Sequence, residues 1–164
     1  MRRVICVVFA ALGLAVAAPI ATADGPNRFE NPFPPEGVTN QACGFPVFIE
    51  PLLNNGFVLD FGDHAILNGA LTLRLTNVAT SQSIEVNSTG PVFPSLTEDG
   101  LGFVTRHAGH TTFSIGPVLA ARLGIQRGLY LSSGLVIVEG TFAIGITSLT
   151  QVGGTWTALC PLLS

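Results

Sequence analysis

The run Leu71-Thr72-Leu73-Arg74-Leu75-Thr76 alternates apolar and polar side chains, the pattern of a half-buried β-strand. Its leucines fall on one face, and its threonines and arginine on the other. Ser83-Ile84-Glu85-Val86-Asn87 repeats the alternation after a polar loop, which predicts a hairpin. Upstream, residues 47–50 read as a short strand stopped by Pro51, and Asn54-Asn55-Gly56 as a turn before extended structure over 57–61. Asp60 to His64 (D-F-G-D-H) reads as a polar turn. Gly90, Pro91 and Pro94 mark a break or a sheet edge, because proline cannot donate to a ladder.

Residues 101–106 and 111–115 predict a second hairpin, turning through His107-Ala108-Gly109-His110. Strands follow over 129–131, 135–139, 142–147 and 155–160, punctuated by Gly134, Gly140 and Gly153-Gly154. The stretch 116–127 is open between two readings. Pro117 at a first helical position and Gly124 as a stop suit one or two helical turns; a loop with a short strand over 118–120 fits equally.

Together these segments make about eight to ten short strands and at most one short helix, with no internal repeat. Short antiparallel strands must close on themselves or pair as two sheets, since open edges invite aggregation. The fold class is therefore all-β: a single antiparallel β-barrel is the expectation and a β-sandwich the alternative. An outer-membrane barrel does not fit, because its strands need roughly 9–11 residues under an unbroken lipid-facing band.

The folded part is expected over 43–164. Residues 24–42 contain Pro26, Pro32, Pro34 and Pro35 among asparagines and glycine, and predict an exposed, extended arm laid along the domain by Phe29 and Phe33. Residues 1–23 divide into the parts of a secretory signal: Arg2 and Arg3, an aliphatic run, and the small-residue site Ala21-Thr22-Ala23. Cleavage between Ala23 and Asp24 is expected. Pro19 breaks the apolar run short of the about 20 residues that a membrane anchor needs. Cys6 lies inside the apolar run and leaves with the signal. The expected location is extracellular.

Charge narrows the partners. Beyond the leader, Arg28, Arg74, Arg106, Arg122 and Arg127 face 10 carboxylates, and the chain has no lysine. Without a basic cluster, nucleic acid and anionic membrane surfaces are unfavourable partners. Schiff-base chemistry is excluded with lysine. Arginine as the only strong base also suggests a GC-rich bacterial genome, which makes the glycosylation-like Asn87-Ser88-Thr89 incidental. Cys43 and Cys160 remain after cleavage, and an oxidising compartment favours a disulfide between them over two buried thiols. Such a bridge stabilises by roughly 5 kcal/mol in the chain-entropy model, as an upper figure.

Candidate chemistry is sparse. His107 and His110, with Arg106 beside them, flank an Ala-Gly turn, and Asp60, Asp63 or His64 could complete a zinc shell only if the fold brought them together. Asp63 and His64 are adjacent, so on an extended chain they point to opposite faces. Asp60-Phe61-Gly62 matches the kinase magnesium motif in three letters, but no other kinase signature accompanies it. No G-x-S-x-G elbow, H-E-x-x-H or P-loop occurs. No cofactor is implied. What remains is an apolar surplus: 48% hydrophobic residues, 11 phenylalanines and only 10% charged residues. These make a core, and in a small barrel could also line a cavity for an apolar ligand. Phe142-Ala143-Ile144-Gly145-Ile146 is the stretch whose small residues would leave room for one. An apolar outer face would instead imply self-association.

A leader, Cys43-Gly44-Phe45-Pro46-Val47, Leu71-Thr72-Leu73 with Leu75-Thr76-Asn77, and a closing Cys160-Pro161-Leu162-Leu163 together resemble a group of uncharacterised secreted actinobacterial proteins. The resemblance spans roughly residues 43 to 164; the His107 to His110 turn and the 116–127 stretch depart from it. It implies secretion and the terminal disulfide, and nothing about activity. Three readings follow: a secreted non-enzymatic domain that binds a small apolar ligand or a cell-surface partner, a barrel-type isomerase or hydrolase using Asp60, Asp63, His64, His107 or His110, and a self-associating envelope protein.

Overall fold

The computed structural model describes residues 25–30, 33–62 and 64–164; the segment expected to be a signal, with its expected Ala23–Asp24 cleavage junction, lies outside the described residues. The chain forms β1 (Asn27–Glu30), β2 (Val38–Asn40), β3 (Val47–Asn54), β4 (Phe57–Asp60), β5 (Ala65–Asn68), β6 (Leu71–Asn77), β7 (Ser83–Asn87), β8 (Val92–Leu96) and β9 (Gly102–Ile115). Helix α1 (Pro117–Leu123), β10 (Gly128–Thr141), β11 (Gly145–Ala158) and a 3-10 turn (Cys160–Leu162) complete it. A seven-stranded sheet runs β1-β4-β5-β8-β9-β10-β11 and a four-stranded sheet runs β2-β3-β6-β7, with every pairing antiparallel.

The chain path is a meander that changes sheets at corners. β3 and β6 form the base of one long hairpin in the smaller sheet, and β4 and β5 form its tip in the larger one. The corner lies at Asn55-Gly56 against Gly69-Ala70, held by the Asn55 amide donating to the Ala70 carbonyl at 2.9 Å. Gly69 has φ +116, and a Cβ there would meet backbone of Asn55 and Gly56. Asn54-Asn55-Gly56, read as a reversal, is thus a change of sheet. β3 also runs through Pro51, with a bulge between Pro51 and Leu53 absorbing the missing donor. Pro94 is accommodated because β8 meets β5 only at Leu67–Val92, leaving the rest of that edge unpaired.

The expected closed barrel is not found. Among the described residues no ladder joins β11 to β1 or β2, and the two-sheet packing fits the sandwich alternative. The ends are joined by side chains instead. Cys43 and Cys160 are bridged with Cα atoms 5.4 Å apart across a sequence separation of 117. The chain after β11 packs Leu159 and Leu163 into the inter-sheet core with Val47, Ile49, Leu73, Leu75 and Leu129. Buried Asn77 fixes that tail, its Nδ2 donating to the Leu163 carbonyl at 2.8 Å while its Oδ1 accepts from the Ala79 amide at 2.9 Å. The arm is partly built into the sheets: β1 pairs with β4, Arg28 lies 4.0 Å over the Phe57 ring, and Phe33 packs on the core. Phe29 stays exposed.

The larger departure concerns the three long strands. Glycines expected to end strands lie inside them, and β9, β10 and β11 each run 14 residues. Gly109 pairs with Gly134, and Gly134 pairs with Gly154, so three glycines stand in one row across the sheet. Their φ values are +86, +101 and +92, a region that other residues avoid. A Cβ on Gly134 would collide with backbone of Gly153, and one on Gly154 with backbone of Ser133. The row bends the sheet sharply. His107 and Phe113 would stand about 20 Å apart on a straight strand, yet their ring centroids are 5.2 Å apart.

Inside the bend lies a second core of Phe113, Ile115, Tyr130, Val136 and Val138, with Trp156 stacked on Phe113 and Tyr130 at 5.3 and 5.2 Å. Helix α1 covers it through Ala120 and Leu119. Of the two readings for 116–127, the helical one holds: Pro117 sits in the first turn, and Gly124 at φ 67 ends the helix with the Ile125 amide donating to the Ala120 carbonyl.

Gly134→Ala should destabilise the fold by at least about 3 kcal/mol, from left-handed strain and backbone collision together. Gly153→Ala, whose Cβ meets nothing within 4 Å, should stay within about 1 kcal/mol of wild type. Urea unfolding of both variants checks the contrast. Reduction of Cys43–Cys160, or Cys43→Ser with Cys160→Ser, should lower Tm by roughly 10 °C in calorimetry.

Candidate functional site

The structure does not gather the reactive-looking residues. Asp60 and His64 sit at the two ends of the β4–β5 loop, where Asp60 Oδ1 accepts from the Gly62 amide at 2.8 Å and the His64 ring stacks on Phe61 at 4.6 Å. Asp63 lies outside the described residues. His107 is on β9, separated from β4 by β5 and β8, which places it about 14 Å from the strand that carries Asp60. His110 lies beyond the Gly109 bend, opposite Ser133 and exposed, and Arg106 is exposed beside His107. Among the described residues no three His, Cys, Asp or Glu side chains come together as a metal group.

What the fold does assemble is a cavity of about 350 Å³ between the sheets. β7 and the second half of β9 form no ladder; the residues just after β7 are linked to β9 by the His110 amide donating to the Thr89 carbonyl at 3.0 Å and the Thr112 amide to Ser88 Oγ at 3.0 Å. The sheets part from there. Val38, Ile49, Leu71 and Leu73 line one wall, and Phe57, Leu67, Val92 and Leu129 the other. Phe33 of the arm joins them, and Asn40 Nδ2 donates to Ser114 Oγ at 2.7 Å across the gap from β2 to β9. The volume falls at the lower end of the range of small-molecule sites, which are about 300–1,000 Å³. Two other concavities, about 580 Å³ beside β1 and about 470 Å³ between α1 and β11, have fewer lining residues, and each includes an arginine.

The polar part of the lining comprises Asn40, Asn68, Ser88, His107, Thr111, Thr112 and Ser114, and the lining contains no aspartate, glutamate or arginine. Two of these groups stand out. His107 Nε2 lies 2.9 Å from Thr105 Oγ1, but Nδ1 is buried with no hydrogen-bond partner. Thr112 Oγ1 is buried and unpartnered as well. A buried polar atom left without a bond costs about 1–3 kcal/mol. Burial also pushes the His107 pKa below its ordinary value, which keeps the ring neutral at pH 7.

The sequence pointed to His107 for the wrong geometry, as half of a histidine pair on a turn. Phe142 to Ile146, the stretch expected to leave room for a ligand, forms the exposed end of the β10–β11 hairpin, with Phe142 65% and Ile144 58% exposed. The cavity itself draws its lining from many elements between Phe33 and Leu129. Its only sequence signal is the set of glycines at the corners. No protein-family model, curated protein or solved structure matches the chain.

Because the His107 pKa is lowered on folding, the unfolded chain takes up the proton first as pH falls. Stability should be flat above about pH 6.5 and decline as pH falls from there towards the lowered folded-state value. Thermal melts at intervals from pH 8 to pH 5 should show that decline in wild type and lose much of it in His107→Gln.

Proposed function

We propose that this chain is a secreted, non-enzymatic β-sandwich domain that holds a small apolar ligand between its two sheets. The observation that carries the reading is the inter-sheet cavity, walled by apolar side chains from both sheets and of a size that suits a small molecule. Secretion is supported by the leader-like residues 1–23 and is compatible with the Cys43–Cys160 bridge. Binding needs no reactive constellation, and the separation of Asp60 and His64 from His107 leaves the enzymatic reading without a site to work through. The cavity is held open from two sides. The disulfide anchors the turn before β3, and the glycine row fixes the second half of β9.

A neutral fluorescent probe such as N-phenyl-1-naphthylamine should brighten on binding the oxidised protein, with saturation near one probe per chain. Val38 pairs with buried Ile49 and shares its face, so Val38→Trp should fill the cavity from the edge strand and abolish the signal without loss of cooperative melting. Leu71→Phe provides a second filling variant. Absence of probe binding to wild type, or unchanged binding by both folded variants, would remove the proposal.

A further inference from the structure

We infer that the groove between α1 and β11 is a second binding site, for a small carboxylate with an apolar body, the carboxylate pairing with Arg122. The inference is independent of the inter-sheet cavity and goes beyond the reading given for it.

The groove has a volume of about 470 Å³. Leu123 and Ile125 enter it from the end of α1 and the residues after it, and Leu149 and Trp156 from β11. Leu149 and Trp156 pack on the second core but are only half-buried, so both keep apolar surface for a ligand to cover. Covering it is favourable in proportion to the apolar area removed from water.

Arg122 supplies the charge. Its Nη1 donates to the Ile144 and Ile146 carbonyls at 2.7 and 2.6 Å. Those bonds hold the guanidinium beside the groove without neutralising it, since a carbonyl carries no net charge. A guanidinium has five N–H donors, and those on Nε and Nη2 remain for a ligand. Among the described residues Arg122 has no carboxylate partner. The lining contains no aspartate or glutamate, and Glu139 on β10 accepts the Ser148 hydroxyl at 2.8 Å. A carboxylate matches the planar fork with two oxygens and one charge, whereas a phosphate monoester would bring close to two charges to a single guanidinium. A bare anion would leave the apolar surface uncovered, so the body is required as much as the charge.

Trp156 is the only tryptophan of the chain, so its emission reports on this groove directly. Titration of the intact, oxidised protein at pH 7 with 3-phenylpropionate should change that emission to saturation. The neutral 3-phenylpropanamide should bind about tenfold more weakly, the difference expected for one charge-assisted pair. Propionate, which lacks the body, should give no saturable change over the same range. Arg122→Gln should bring the acid to the level of its amide. That change also removes the bonds to Ile144 and Ile146, so Ile125→Glu gives a second route. It sets a competing carboxylate in the lining at an exposed position, and should weaken the acid without lowering Tm. Amide equal to acid, propionate equal to 3-phenylpropionate, or acid binding unaffected by both variants would overturn the assignment. So would the lack of any saturable response of wild type to 3-phenylpropionate. Each of those results leaves the inter-sheet reading as it stands, because that cavity is lined by neither Arg122 nor Trp156.

Discussion

The close backbone approach in the glycine row of β9, β10 and β11 is the constraint from which most of the molecule follows. Gly109, Gly134 and Gly154 stand side by side in register, each with positive φ, and Gly134 and Gly154 leave no room for a Cβ. A single kinked strand would lose its ladder, but three strands bending at paired positions keep theirs. The bend encloses the Phe113, Tyr130 and Trp156 stack and gives α1 a surface to cover.

The other end of the chain solves a different problem. A meander of long bent strands is close to a barrel, and hydrogen bonds between its first and last strands would complete one. Among the described residues those bonds are missing, and the gap is filled by Leu159 and Leu163, by the Asn77 side chain gripping the Leu163 carbonyl, and by the cystine. The apolar residues at the far tip, Leu96, Leu101, Phe142 and Ile144, are exposed among the described residues. On the outer face of the small sheet, Arg74 lies between Glu50 and Glu85 at 3.4 and 3.1 Å; exposed as it is, that cluster adds little stability.

What could be read from the sequence was whatever depends on neighbouring residues. The Leu71–Asn77 strand shows its alternation because one face is buried and the other is not, and its hairpin with Ser83–Asn87 needs no distant information. Cys43 and Cys160 were pairable because residues 24–164 offer no other thiol. Glycines misled, since the same residue ends a strand in one context and bends it in another; which applies to Gly134 depends on Gly109 and Gly154 standing opposite. The cavity was illegible for a related reason. Its walls come from residues as distant as Phe33 and Leu129, and no local pattern separates a side chain that fills a core from one that borders a space.

The cystine also carries information about time. Cys43 leaves the ribosome early, and Cys160 follows only when β11 is complete, so the bridge cannot form on a partial chain. Its two sulfurs meet only where the tail reaches the turn before β3, and residues 24–164 contain no third cysteine. Oxidation thus acts as a latch that records a finished fold. A chain that has not brought its last strand home remains reduced, chemically distinguishable from one that has.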